Sequence, residues 1–93
     1  MTDRARGLET ELIRKCQAGA REFYEPLVHA YEPEAYRVAV GILGDADAAH
    51  DAVQEAFIKA YRALDRFELG RSFRPWFLQI LRNQCRDMLR RRK

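Results

Sequence analysis

The sequence predicts an all-α protein, a compact bundle of about four helices. Only five glycines and three prolines interrupt its 93 residues. Long stretches carry apolar residues at intervals of three and four, which places them on one face of an α-helix. We find no stretch with the properties of a β-strand. Because 47% of the residues are hydrophobic, one small core can form, and residues 1–93 are expected to be a single domain.

The first two helices are predicted from apolar periodicity, and each is followed by a glycine that favours a helix end. Helix one should cover about residues 8–18, after a flexible N-terminus over residues 1–7. Helix two should cover about residues 21–43. Pro33 should kink or break it, because proline lacks a backbone donor and clashes with the preceding turn. The predicted core face of helix one consists of Leu8, Leu12, Ile13 and Cys16.

Helix three is predicted to begin beside two carboxylates that can cap it. Asp45 and Asp47 stand where the free N–H groups of a helix N-terminus accept a negative partner, and the helix should continue to about Leu64. Its predicted core residues are Ala49, Ala52, Val53, Ala56, Phe57, Ala60, Tyr61 and Leu64.

Helix four is predicted to follow a loop. Residues 65–71 include a glycine and lose the helical period. Ser72 can act as the N-cap of a helix from about Phe73 to Arg90 or beyond, and Pro75 falls in its first turn, where proline is tolerated. The predicted core residues of helix four are Phe77, Leu81, Cys85 and Met88.

Charge is distributed unevenly along the chain. Residues 71–93 contain eight basic side chains and one acidic side chain, a balance of +7. Residues 1–70 contain nine basic and thirteen acidic side chains, a balance of −4, and the whole chain is +3. A basic segment with aromatic side chains near its start indicates a nucleic-acid partner.

The polar face of helix three is acidic and has an apolar residue at its centre. Residues 45–56 contain four acids and no Lys or Arg, and Ile58 lies in the middle of the face opposite the core. This layout suits a basic partner with a matching hollow. The alternative is a solvated helix face with one exposed isoleucine. The residues on this face are Asp51, Gln54, Glu55, Ile58 and Arg62.

Helix four has a polar face that is predicted to bind DNA. Arginine binds phosphate, the side chain of Asn83 can recognise a base edge, and the ring of Trp76 can stack on an unpaired base. Together these functions predict contact with single-stranded or opening DNA. The alternatives are a core position for Trp76, a solvated row of arginines, and hydrogen bonds of Asn83 within the helix. The polar residues are Gln79, Arg82, Asn83, Arg86 and Arg90.

The sequence predicts no catalytic residue, no metal site and no cofactor. His29 and His50 fall on different helices, and neither stands in the pattern of a nucleophile with its base. We find no glycine-rich phosphate loop, and Cys16 and Cys85 lack the spacing of zinc ligands. The chain is therefore expected not to be an enzyme.

No signal peptide is recognisable, and no apolar run approaches the roughly 18 residues that a membrane span needs. We therefore expect a cytoplasmic protein with no membrane insertion.

Two blocks of sequence resemble a known family. Residues 43–61 read LGDADAAHDAVQEAFIKAY, and residues 73–83 read FRPWFLQILRN before the arginine-rich end. In content and spacing they closely resemble conserved region two of bacterial sigma-70 family sigma factors, especially the extracytoplasmic-function group. The resemblance covers about residues 11–93.

The resemblance implies a transcription initiation specificity domain with two partners. In this family helix three docks on the clamp-helix coiled coil of the largest subunit of core RNA polymerase. The match carries this role onto Asp47, Asp51, Gln54, Glu55 and Ile58.

The loop and last helix of the family recognise the minus-ten promoter element and hold its non-template strand as the duplex opens. A flipped base would be received near residues 65–72. The match, together with Gln79 on the predicted polar face, assigns DNA binding to Phe67, Ser72, Phe73, Arg74, Trp76, Gln79, Arg82, Asn83, Arg86 and Arg90.

The chain departs from the family pattern in three respects. His50 stands where an acid is common, and Ala20 stands where a capping Asp is common. The second helical domain of a complete sigma factor has no counterpart here, so residues 91–93 are expected to begin a linker towards it. Two other functions remain open: a helical protein-interaction module whose main partner is an anti-sigma factor, and a general nucleic-acid-binding helical domain.

Overall fold

The computed structural model describes residues 3–92, which form four α-helices joined by short connections. Two 3₁₀ turns, Arg21–Phe23 and Leu64–Arg66, lie before the second helix and after the third. Residues 3–92 contain no strand, which confirms the predicted all-α class. The helices are α1 (Asp3–Gln17), α2 (Tyr24–Leu43), α3 (Ala46–Ala63) and α4 (Phe73–Arg91).

Helix α1 differs from its prediction at its start and in its buried face. It begins at Asp3, so residues 3–7, which we expected to be flexible, are helical; Met1 and Thr2 lie outside the described residues. Leu8, predicted in the core, is 64% exposed, whereas Glu9 is buried. Apolar periodicity could not anticipate this, because Glu9 is held inside by a hydrogen bond from the hydroxyl of Tyr31.

Helix α2 continues through Pro33, so the prediction that this proline could break the helix is wrong. Pro33 deprives the carbonyl of His29 of its helical donor. Both residues lie on the exposed side of α2, so that carbonyl faces solvent and the helix need not end there. Helix α2 ends at Gly44, whose φ of 68° is the left-handed conformation that glycine adopts easily.

Helix α3 begins as predicted. The Oδ1 atom of Asp45 accepts hydrogen bonds from the backbone N–H groups of Asp47 (2.8 Å) and Ala48 (3.2 Å). These bonds satisfy two of the N–H groups that a helix start leaves free. The predicted core face of α3 is buried except at Tyr61, which is half-buried.

Helix α4 closes the core against α2 and α3. The rings of Phe57 and Phe77 stack at 4.4 Å, and the ring of Tyr31 lies 5.2 Å from that of Phe73. Phe77, Leu81 and Cys85 are buried as predicted, whereas Met88 is half-buried. The buried α4 residues are Phe73, Phe77, Leu78, Leu81, Gln84 and Cys85.

The two ends of α4 also differ in detail from expectation. Ser72 occupies the N-cap position, but its side chain makes no capping hydrogen bond. Arg91, expected at the start of a linker, is the last residue of α4. The side chain of Arg92 turns back and donates to the carbonyl of Leu43 at 3.1 Å. Lys93 lies outside the described residues.

Candidate nucleic-acid interface and partner surface

The outer face of α4 presents the predicted polar residues together. Gln79, Arg82, Asn83, Arg86 and Arg90 are all exposed. The Oδ1 atom of Asn83 accepts hydrogen bonds from Nε2 of Gln79 (3.2 Å) and Nη1 of Arg86 (3.5 Å). The intrahelical bonds considered for Asn83 therefore exist, and they link three candidate residues into one surface.

Two of the candidate arginines have acidic partners. Arg90 pairs with Asp87 one turn earlier on α4. Arg74 donates from Nε to both carboxylate oxygens of Glu34 on α2, each at 3.0 Å. Sequence reasoning missed Glu34, since nothing in the spacing of α2 indicates that this acid meets α4.

An aromatic cluster joins the start of α4 to the loop before it. The ring of Trp76 lies 5.0 Å from that of Phe67 and 5.6 Å from that of Phe73. Trp76 is half-buried, whereas Phe67 is 6% exposed and Phe73 is fully buried. The burial of Phe73 does not fit the direct DNA contact expected from the sequence. The rings of both phenylalanines pack against the ring of Trp76.

An open cavity of about 750 Å³ lies beside this cluster, along the loop where the resemblance places a flipped base. Two of its arginines, Arg66 and Arg71, belong to the predicted loop and were overlooked there, whereas Arg6 comes from α1, which was expected to begin later. The lining residues are Arg6, Arg66, Phe67, Glu68, Arg71, Ser72, Pro75, Trp76 and Gln79.

Helix α1 holds the loop that borders this cavity. The Nε2 atom of Gln17 donates to the carbonyls of Leu64 and Phe67, both at 2.9 Å. A second link runs from Nη2 of Arg6 to the carbonyl of Gly70 at 2.7 Å. These three bonds set the position of the 3₁₀ turn and of the loop tip relative to α1.

The acidic face of α3 combines residues predicted from helical geometry with Asp47, which the family resemblance added. Asp47, Asp51 and Gln54 are exposed, and Glu55 is half-buried. Ile58 is 45% exposed, an apolar centre among polar neighbours. Asp51 and Glu55 line a further cavity together with Gln84, Met88 and Arg91 of α4, none of which lines the cavity beside Trp76.

A smaller cavity of about 270 Å³ adjoins the acidic face where α3 meets α2. Its lining includes Gln54, whose Nε2 atom lies 3.0 Å from Nε2 of His50. The remaining lining residues are Glu32, Pro33, Tyr36 and Val53.

Two tyrosines, the buried Tyr31 and the half-buried Tyr24, make polar contacts that the sequence did not reveal. Burial, and then the hydrogen bond to Glu9, raise the pKa of Tyr31. Burial likewise raises the pKa of Tyr24, whose hydroxyl donates to the carbonyl of Phe57 at 2.6 Å. The second carboxylate oxygen of Glu9 has no hydrogen-bond partner within residues 3–92.

The described part of the chain contains no group of three or more His, Cys, Asp or Glu residues arranged to hold a metal ion. Cys16 and Cys85 are free thiols, and burial raises the pKa of each. None of the helices within residues 3–92 is long and apolar enough to cross a bilayer.

The fold and the sequence define the class of protein. A sequence model described as Sigma-70 region 2 matches residues 27–93. The chain therefore belongs to the sigma-70 region 2 family, and the resemblance drawn from the sequence is confirmed.

Relatives come from several bacteria. ECF RNA polymerase sigma factor SigW of Bacillus subtilis is 32% identical over 81 residues, covering 87% of this chain and 43% of the relative. RNA polymerase sigma-H factor of Pseudomonas aeruginosa is 35% identical, covering 87% and 42%. ECF RNA polymerase sigma-E factor of Escherichia coli is 35% identical, covering 84% and 40%. The chain thus spans less than half the length of these relatives.

A solved structure with the same fold is an NMR structure of an engineered region 2 of sigmaE in complex with GTAAAA. Its TM-score to this chain is 0.80 at 35% sequence identity. The match covers 86% of this chain and 83% of that one.

Proposed function

We propose that this chain binds core RNA polymerase and recognises the minus-ten promoter element, whose non-template strand it holds as the duplex opens. One observation carries the proposal: the exposed polar face of α4 leads into an open cavity beside Trp76. The engineered sigmaE region 2, which has the same fold, was solved in complex with GTAAAA.

The DNA-binding role is divided among residues of different chemistry. Arg82, Arg86 and Arg90 bind backbone phosphates, which gives affinity without sequence preference. Asn83 supplies a side-chain amide that can pair with a base edge. The cavity beside Trp76 accepts an unpaired base, whose capture offsets a few kcal/mol of unstacking.

The polymerase-binding role belongs to the acidic face of α3. Asp47, Asp51 and Gln54 are accessible around Ile58, and a coiled coil with basic side chains and an apolar hollow would complement this surface. The partner is the clamp-helix coiled coil of the largest polymerase subunit. An anti-sigma factor would compete for the same surfaces.

The two faces act together without covalent chemistry. The acidic face of α3 ties the chain to the enzyme, while the basic face of α4 holds the promoter strand. Catalysis of RNA synthesis stays with the polymerase, and the chain acts in the cytoplasm.

The DNA-binding part is tested by substituting Trp76→Ala together with Asn83→Ala and measuring affinity for single-stranded minus-ten DNA by fluorescence anisotropy. Affinity should fall by about tenfold or more, because one stacking contact and one base-edge contact are lost. Tyr36→Ala with Gln54→Ala removes an aromatic and an amide side chain away from α4 and should leave affinity unchanged. Circular dichroism checks that both variants are folded. Equal affinities in the two double variants would reject the proposal.

A further inference from the structure

Helix α1 forms one wall of the cavity beside Trp76, although it lies before the family match, which begins at residue 27. Its contribution is Arg6, which is exposed and lines the cavity together with residues of the 65–72 loop. This places a cation from the start of the chain next to a surface otherwise built from α4 and its preceding loop.

The guanidinium of Arg6 is oriented by the loop itself. Nη2 donates to the carbonyl of Gly70 at 2.7 Å, and Gly70 has a φ of +93°, a conformation that other residues rarely adopt. A guanidinium carries several N–H donors in one plane, so this bond leaves others free to meet a second acceptor. The hydrogen bond to Gly70 thus restricts the conformations of the Arg6 side chain and leaves other N–H groups of its guanidinium available to a ligand.

The charge around the cavity favours an anion. Three arginines and one glutamate line it, a balance of +2. Glu68 is paired with Arg71 at 2.6 Å, which leaves the charges of Arg6 and Arg66 uncompensated by an acid of the lining. The apolar side of the same cavity is formed by Trp76 and Phe67. A ligand with a flat apolar part and a nearby anionic group fits this distribution.

We propose that Arg6 binds a backbone phosphate of the nucleotide whose base enters the cavity, while its bond to Gly70 keeps the loop in place. The inference rests on the proposed DNA-binding function and adds α1 to the interface. Phosphate is the acceptor that matches the planar fork of arginine, and each nucleotide brings one within reach of its base.

The test compares Arg6→Gln, Arg6→Lys and the matched control Arg4→Gln in the 93-residue chain. Arg4 is exposed on α1 and, at about 200° around the helix from Arg6, points away from the cavity. Binding to a short single-stranded oligonucleotide containing GTAAAA is measured between about 50 and 200 mM salt. Arg6→Gln should bind about fivefold more weakly and lower the slope of log affinity against log salt by about 0.7. Arg6→Lys should keep the slope, and Arg4→Gln should match the unaltered chain.

Two outcomes would contradict the proposed role of Arg6 and leave the proposed DNA-binding function standing. One is equal binding by Arg6→Gln and Arg4→Gln; the other is weaker binding by Arg6→Gln with an unchanged salt slope, which would mean that Arg6 acts only by holding the loop. In both cases the Trp76→Ala with Asn83→Ala variant still binds more weakly than the unaltered chain. If the unaltered chain fails to bind DNA, or that variant binds as well as it does, the proposed function fails and the inference fails with it.

Discussion

Arg74 at the start of α4 is held by Glu34 of α2. Its Nε atom lies 3.0 Å from each carboxylate oxygen, and Nη2 donates to one of them as well. The hydrogen bond from Arg74 holds the pKa of Glu34 below its ordinary value against the opposing effect of burial. The positive charges of Arg74, Arg37 and Arg82 act in the same direction as that bond. Arg74, a candidate DNA contact, is thus paired with Glu34 of the same chain, and this pair neutralises part of the positive charge at the start of α4.

Glu34→Gln should strengthen binding to single-stranded DNA of any sequence. The substitution removes a negative charge that interacts with Arg74, Arg37 and Arg82, and it frees Arg74 for a phosphate. We expect an affinity gain of about two- to fivefold at low salt, with a steeper salt dependence. Anisotropy titrations at two salt concentrations measure both quantities.

The control for this prediction is Glu32→Gln. Glu32 is exposed two residues earlier on α2 and lies near the α2–α3 cavity instead of α4. An equal gain in affinity in both variants would show that the effect comes from net charge alone. A loss of affinity in Glu34→Gln would show that the ion pair positions Arg74 for binding.

Tyr31→Phe should destabilise the chain. The substitution removes the only hydrogen-bond donor that the described residues offer to the buried carboxylate of Glu9. Leaving a buried polar group without its partner costs about 1–3 kcal/mol. Urea unfolding followed by circular dichroism measures the loss, and Tyr36→Phe, at an exposed tyrosine, should change stability by less than about 0.5 kcal/mol.

The hydrogen-bonded pair of Glu9 and Tyr31 can also be tested by replacing both residues. Adding Glu9→Leu to Tyr31→Phe replaces both polar partners with apolar groups, so most of the lost stability should return. A double variant as unstable as the sum of the two single variants would contradict a direct interaction.

Alkaline pH should destabilise the fold through Tyr24 and Tyr31. Their folded-state pKa values are raised, so the folded chain keeps protons that the unfolded chain releases above about pH 10. Their stabilising effect is complete below that pH and is lost as the pH rises further. The free energy of unfolding should therefore fall from about pH 10 upward. The double variant Tyr24→Phe with Tyr31→Phe should show a smaller fall in the free energy of unfolding above about pH 10. An unchanged fall would show that these two tyrosines do not cause it.

Charge reversal on α3 should separate the two proposed partners. Asp51→Arg with Glu55→Arg places positive charge opposite a basic partner, so capture of purified core polymerase, or of its clamp-helix fragment, should fall by about tenfold or more. Affinity for single-stranded DNA should be no lower than that of the unaltered chain, since the α4 face is untouched.

Glu22→Arg with Glu25→Arg changes the net charge equally at two exposed positions that do not belong to α3. This variant should retain polymerase capture. A similar loss in both variants would indicate a general charge effect, and retained capture in the α3 variant would exclude this face as the docking surface.

The fold was largely predictable because the bundle is organised by apolar periodicity and clear end signals. The cap at Asp45 and the core face of α3 follow directly from local sequence. The errors arise where a distant partner decides the outcome. Glu9 is buried because Tyr31 reaches it across 22 positions, and Pro33 is tolerated because its side of α2 faces solvent.

The candidate site was predictable where it lies on one helix. The polar face of α4 follows from spacing alone, and the loop beside it was located through the family resemblance. Arg6 and Gln17 escaped notice because their contacts with residues 64–70 join segments far apart in sequence. The burial of Phe73 was also missed, since an aromatic residue at a helix start fits either a core or a binding surface.

The most direct test of the account is selection from a randomised single-stranded DNA library by the 93-residue chain and by Asn83→Ala and Arg86→Ala variants. The unaltered chain should enrich a short motif. Asn83→Ala should lose preference at one position of that motif, whereas Arg86→Ala should bind all sequences more weakly and keep the motif. Enrichment of no motif, or of the same motif by the Asn83→Ala variant, would contradict the claim that the outer face of α4 recognises promoter sequence.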